Sequence, residues 1–265
     1  MLLVVDAGNS QVVTGLYRGA DLRETWRAAT QRERTGDEYG LLFRGWLQAV
    51  GVAPESLDGI ALASVTPGLT SELRRGIERF LGQMPQVVGV DMEPPIPIRY
   101  ATPETVGKDR LLNALAARER YGAPCLVVDL GTATNLDAVS PAGEFVGGAI
   151  APGVGISMEA LYRAAPHLPR VPLARPVSVL GSGTRECLQA GAYYGFLGQL
   201  EGLIQRSCAV LGVQTTVVAT GGLASLVAGE IPRITHTDPD LTLEGLRLTW
   251  ERARSSVSCR EVSRE

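Results

Sequence analysis

Several features are missing from this 265-residue chain, and each absence removes a class of function. No stretch offers the ~18 uninterrupted apolar residues of a membrane-crossing helix, so no membrane partner is expected. The N-terminus, Met-Leu-Leu-Val-Val-Asp, has no basic region, and its apolar run stops at Asp6, so it does not read as a signal peptide. Cys125, Cys187, Cys208 and Cys259 form no C-x-x-C pair. That spacing argues against a zinc site or a disulfide framework and suits a reducing interior, so a cytoplasmic protein is expected. Net charge is only −3. Nothing in it attracts nucleic acid in general, and any anion needs a local site. There is no G-x-x-x-x-G-K-S/T phosphate loop, and no G-x-S-x-G elbow to support a hydrolase triad. His167 and His236 lie in loop-like stretches and read as solvated.

What is present is a globular composition, 45% apolar and 20% charged, long enough for one large domain or two ordinary ones. It contains one pattern twice. Residues 3–10 read Leu-Val-Val-Asp-Ala-Gly-Asn-Ser, and residues 126–133 read Leu-Val-Val-Asp-Leu-Gly-Thr-Ala. In each, an apolar run predicts a buried strand that delivers an aspartate, Asp6 or Asp129, to its end. A predicted hairpin follows both times: strands at 11–17 and 22–28 in the first copy, 132–139 and 144–150 in the second. The repeat thus covers a strand–hairpin unit of roughly 25 residues. Its two aspartate turns are expected to face a nucleotide's phosphates.

Helical periodicity predicts helices over 37–50, 71–81, 111–121, 183–211 and 242–254, with strands at 59–65, 87–90 and 216–219. Pro94-Pro95-Ile96-Pro97 predicts a stiff extended segment. Glycines 191, 195, 198 and 202 are spaced to let helices approach closely. Residues 255–265 are polar and read as a frayed tail.

Five stretches carry candidate chemistry. In Asp6-Ala7-Gly8-Asn9-Ser10 a glycine turn brings backbone N–H groups to phosphate oxygens, and Asp6 can hold the waters of Mg²⁺. In Asp129-Leu130-Gly131-Thr132 the carboxylate suits a cation and Thr132 a terminal phosphate. Gly147 to Gly153 lets a ligand approach and opens a helix toward an anion. Thr220-Gly221-Gly222 is either a plain strand–helix turn or part of a site for the base or ribose. Finally, Asp109 in Gly107-Lys108-Asp109-Arg110 is either a helix cap or a general base beside an arginine that holds substrate charge.

The duplicated strand–Asp-x-Gly–hairpin unit resembles the actin, heat-shock chaperone and sugar-kinase superfamily. Within it, the ordered set Asp6-x-Gly8-Asn9-Ser10, Tyr100, Gly107-x-Asp109-Arg110, Asp129-x-Gly131-Thr132, Gly147-Gly148-x-Ile150-x-Pro152-Gly153 and Ala219-Thr220-Gly221-Gly222 is similar to type III pantothenate kinases. The resemblance implies two duplicated actin-like (ribonuclease H-like) α/β domains, 1–119 and 120–265, each a mixed sheet flanked by helices, with ATP in the cleft between them. It implies transfer of the ATP γ-phosphoryl group to pantothenate, the first step of coenzyme A synthesis. Asp109 would be the general base. Tyr100, Gly107, Lys108, Asp109, Arg110 and Thr184 would contact pantothenate. Asp6, Ala7, Gly8, Asn9, Ser10, Gln11, Val12, Val13 and Thr132 would bind ATP, with Mg²⁺ held through water at Asp6. Asp129 would hold a monovalent cation, K⁺ or NH₄⁺, and a homodimer would complete the pantothenate pocket. Lys108 fills the variable place of the Gly-x-Asp-Arg motif, and Gly183 stands where the family has asparagine. The alternatives are a non-catalytic transcriptional accessory protein, a sugar kinase or a phosphohydrolase on the same fold.

Overall fold

The computed structural model describes residues 1–92, 96–212 and 214–262, and side chains at these positions except 67 and 256–262. Pro94 and Pro95, expected to be extended, lie outside the described residues. The chain divides into two compact units. The first comprises Met1–Pro97, Thr102–Ala116 and the C-terminal segment from Leu241; the second comprises Ile98–Ala101 and Ala117–Asp240.

The first unit is built on β1 (Leu2–Ala7), β2 (Gln11–Arg18), β3 (Asp21–Ala29), β4 (Gly59–Ser64) and β5 (Gln86–Val87), in the order β3-β2-β1-β4-β5. The central β1 is antiparallel to β2 and parallel to β4. Its unbroken apolar run is explained by burial on both faces. Leu3 and Val5 pack with Phe43, Leu47, Leu73 and Ile77 of α1 (Gly36–Ala49) and α2 (Pro67–Leu81). Leu2 and Val4 pack with Leu243, Leu246 and Trp250 of α7 (Leu241–Val262), beside Leu112 of α3 (Lys108–Tyr121). Thr35 caps α1 through a reciprocal box with Glu38, as Ser/Thr-x-x-Glu predicts.

The second unit repeats this plan. Strands β6 (Cys125–Leu130), β7 (Ala133–Val139), β8 (Phe145–Pro152), β9 (Thr216–Thr220) and β10 (His236–Thr237) are ordered β10-β9-β6-β7-β8. Again the central strand, β6, is antiparallel to its hairpin partner and parallel to β9. Even the irregularity recurs: the hairpin register shifts at Leu16/Tyr17 in one unit and at Ala138/Val139 in the other. Leu126, Val128 and Leu130 pack on Tyr193, Leu200 and Ile204 of α5 (Thr184–Leu211). The unit also carries α4 (Val154–Ala164) and the single turn α6 (Ala224–Val227).

Several expectations differ from what folds. The α7 helix packs on β1 and β4 of the first unit, whereas the expected boundary kept 120–265 together. That helix also continues to Val262 in place of a frayed tail from residue 255. Helix α3 begins at Lys108, not Leu111, so Asp109 lies inside its first turn. Gly191, Gly195 and Gly198 of α5 have open space where a Cβ would stand, so they do not serve close helix approach within the described chain.

Candidate active site

In the first unit β1 carries Asp6 to the C-terminal edge of the sheet. The turn after it is closed by the Gly8 N–H donating to the Gln11 carbonyl at 2.9 Å. Thr30 Oγ1 donates to the Gly8 carbonyl at 2.8 Å, and Thr66 Oγ1 donates to Asn9 Oδ1 at 3.4 Å. Asp6 is half-buried, while Asn9, Ser10 and Gln11 are exposed. Ala7 and Val12 are fully buried, so their side chains are core and only backbone is left to meet a nucleotide. Thr30 and Thr66 were not legible as site residues; each comes from a different strand–helix or strand–loop junction, with no spacing to mark it.

Gly107 to Arg110 form the entry to α3. Asp109 Oδ1 accepts from the Arg110 N–H at 3.0 Å. The carboxylate folds back over Gly107, where a Cβ would stand 2.5 Å from Oδ1. Burial raises the Asp109 pKa above its ordinary value, against smaller lowering contributions from the Arg110 backbone N–H and guanidinium. Desolvation wins because the water the carboxylate loses outweighs what the backbone N–H groups of Arg110 and Asp109 and the Arg110 charge return. A carboxylate with raised proton affinity at the start of a helix suits a general base better than a cap. Beside it, the Lys108 stem lies over Gly89, a residue at φ +82 in the turn that follows β5.

In the second unit β6 carries Asp129, opposite Asn135 on β7 and level with Thr220 on β9. Gly221, at φ +88, closes on that carboxylate. The Gly131 N–H donates to the Ala133 carbonyl at 3.0 Å, and the Gly153 N–H to the Thr132 carbonyl at 3.2 Å. A Cβ on Gly153 would fall on the Thr132 carbonyl, so α4 starts directly against the Thr132 turn.

Tyr100 sits further along β8. Its segment is fixed by the Arg99 N–H donating to the Phe145 carbonyl at 2.8 Å. Its ring lies edge-on to Phe145, centroids 6.2 Å apart, and over Gly147, where a Cβ would stand 3.1 Å from Cε2. Gly147 pairs with Ala138, whereas Ile150 pairs with the Asn135 that faces Asp129. The three-residue offset separates the Tyr100 and Asp129 levels by about 10 Å along the strands. Thr184 is exposed at the start of α5 and borders a cavity of about 560 Å³ with Met158, Leu161, Cys187 and Phe196. Gly183 before it has φ −141 and open space around its α-carbon, so an asparagine would fit there without strain.

Comparison with known proteins gives this arrangement a family. The type III pantothenate kinase profile matches residues 2–206. A type III pantothenate kinase of Moorella thermoacetica is 48% identical over 252 residues, covering 95% of this chain and 99% of the relative. One from Brevibacillus brevis is 46% identical over 255 residues, covering 96% and 100%. Among solved structures, a Campylobacter jejuni protein ascribed to the Baf family of transcriptional activators matches 96% of this chain and 99% of its own, with TM-score 0.58 and 18% identity. A polyphosphate/ATP-glucomannokinase of Arthrobacter sp. strain KM matches 96% and 98%, with TM-score 0.50 and 14% identity. At such identities the two structures show the fold alone, two five-stranded mixed sheets flanked by helices. The sequence relatives show more: the chain belongs to the type III pantothenate kinase family.

Proposed function

We propose that this kinase transfers the γ-phosphoryl group of ATP to the primary hydroxyl of pantothenate with Asp109 as proton acceptor. The observation that carries this assignment is the Asp109 carboxylate, desolvated at the start of α3 and seated over a glycine. In the reaction the hydroxyl oxygen attacks phosphorus, its proton passes to an Asp109 carboxylate oxygen, and the bond to ADP breaks. Arg110 and Tyr100 position pantothenate, with Gly107 and Lys108 beside them and Thr184 at the α5 start. The turn from Asp6 to Val13 and Thr132 bind ATP. Thr30 and Thr66 brace that turn from outside the motif.

The donor chemistry fits the expected ions. Asp6 offers carboxylate oxygen at the sheet edge, the kind of ligand that holds hydrated Mg²⁺, which when bound neutralises phosphate charge. Asp129, with carbonyls of its turn nearby, offers oxygen to K⁺ or NH₄⁺. A homodimer that completes the pantothenate pocket and a cytoplasmic location belong to the same proposal. The accessory-protein alternative is not favoured, because family and relatives alike are kinases.

ADP release with ATP and Mg²⁺ tests the reading, with and without pantothenate, and with potassium exchanged for sodium. Release that requires both pantothenate and potassium is the expected result. Pantothenate-independent release, or none, overturns it.

A further inference from the structure

The 25 basic residues of this chain are 24 arginines and one lysine, Lys108. Wherever the sequence needs only positive charge, it uses arginine. Lysine stands alone in the position next to the proposed base. The fold also reserves a seat for it. Gly89 has φ +82, and a Cβ there would fall on Lys108 Cε and lie 3.2 Å from both Cδ and Nζ. The turn that forms the seat is held by Asp91, whose carboxylate accepts the Val87 N–H at 2.8 Å and faces Arg74 at 3.7 Å. The Gly89 N–H donates to the Met92 carbonyl at 3.2 Å.

That seat has a definite position. Strands β1, β4 and β5 are parallel, so their C-terminal ends share one sheet edge. Val5 is level with Leu62, and Leu62 with Val87, so β5 ends one residue short of the Asp6 level and Gly89 lies in the turn that leaves that end. Two strand spacings separate β1 from β5, about 10 Å. The Lys108 ammonium therefore stands on the same edge as the Asp6 turn, at a span that phosphates and their hydrated ion would bridge. A compact ammonium in a narrow seat differs from a planar guanidinium in both size and geometry.

We infer that the Lys108 ammonium contacts the γ-phosphoryl group as it passes to the acceptor, while Asp109 takes the acceptor's proton. This rests on the kinase reading above. The bond balance is unchanged: oxygen–phosphorus forms, phosphorus–oxygen to ADP breaks, and Lys108 keeps its proton and offers N–H to the equatorial oxygens. Its neighbour Asp109 and the Asp6 turn thus handle proton and phosphate from one unit.

Because Lys108 is the only lysine, an amine acetylating reagent can modify only it and the Met1 amine, which peptide mass mapping separates. A β,γ-imido ATP analogue with Mg²⁺ should slow acetylation of Lys108 by roughly tenfold or more. ADP with Mg²⁺ should protect weakly, and pantothenate alone should protect less than the analogue. Lys108→Met should keep the parent melting temperature while kcat falls roughly 10- to 100-fold, the usual worth of a charge-assisted hydrogen bond, with any change in the pantothenate KM smaller than the fall in kcat. Lys108→Arg should recover only part of that. Equal labelling with and without the analogue, equal protection by ADP or by pantothenate alone, or undiminished kcat in Lys108→Met overturns the inference. If the parent binds no nucleotide, the kinase reading fails and this inference with it. If the parent turns over normally with Lys108 unprotected, this inference fails alone.

Discussion

The α-carbon of Gly221 and the carboxylate of Asp129 occupy adjoining space: a Cβ at 221 would stand 2.6 Å from Oδ1 and 2.8 Å from the Leu130 backbone. Gly221→Ala therefore meets both a collision and a positive φ, and should cost about 1–3 kcal/mol of stability in urea unfolding. Displacing Asp129 should also raise the potassium concentration needed for half-maximal activity. A destabilised variant with unchanged potassium dependence would separate Asp129 from the cation.

Asp109→Asn should fold and lose turnover by about 10²–10⁴-fold, the range for removing a general base. The pKa direction adds a second readout. Burial raises the Asp109 pKa in the folded state, so folding favours its protonated form. Stability from this group is present at low pH and is lost as pH rises from the unfolded pKa through the folded one. At neutral pH the neutral asparagine should then melt no lower than the parent, and higher if the carboxylate's other partners are kept. In the parent, the acid limb of kcat/KM should lie above the ordinary aspartate range.

Gly107→Ala isolates the carboxylate's position. Gly107 has no positive φ, and the added methyl would collide with Asp109 Oδ1, 2.5 Å away, while meeting Arg110 Cδ at an ordinary 3.7 Å. Expected are a near-parent melting temperature and a kcat reduced at least tenfold, a loss of about 1.4 kcal/mol in transition-state stabilisation. Parent-like kcat would show that the carboxylate's seat over Gly107 is unimportant.

Gly147 and Tyr100 can be tested as a pair. A methyl at 147 would press the Tyr100 ring, and the φ of +114 adds strain of its own. Gly147→Ala should raise the KM for pantothenate more than that for ATP. In a Tyr100→Ala background the same change should add little, because the ring it displaces is gone. Equal effects in both backgrounds would mean that Gly147 acts by backbone strain alone.

Arg247 marks a structural rather than a chemical site. It is 8% exposed, bonds Glu244 at 2.9 and 2.7 Å, and reaches Glu251 at 2.7 Å. Arg247→Ala removes the cation that neutralises buried Glu244 and should cost about 3–5 kcal/mol, measured by denaturant titration. The double change Glu244→Gln with Arg247→Met should recover most of it, with the pantothenate KM unchanged throughout.

Much of this site is local and so could be read from the chain. The apolar runs before Asp6 and Asp129 are buried on both faces and leave no alternative to a central strand. The glycines and polar residues that follow mark turns by composition. The Gly-x-Asp-Arg segment has a fixed order. By contrast, Lys108 over Gly89, Tyr100 over Gly147 and Asp129 against Gly221 are exclusions between segments far apart in sequence. No periodicity announces them, because a missing Cβ matters only once a distant side chain arrives. The α5 glycines show the converse: their spacing suggested close packing, yet open space surrounds most of them.

By itself, the sequence determined the two repeated strand–hairpin units, the residue types at both aspartate turns and the kinase family. These depend on hydrophobic period, turn chemistry and motif order, which act within a few residues. Only the tertiary structure decided that α7 covers β1, that desolvation outweighs the Arg110 contributions at Asp109, and that one lysine stands on the edge that carries Asp6. Burial and side-chain seats are set by which surfaces meet, and that is a property of the folded chain.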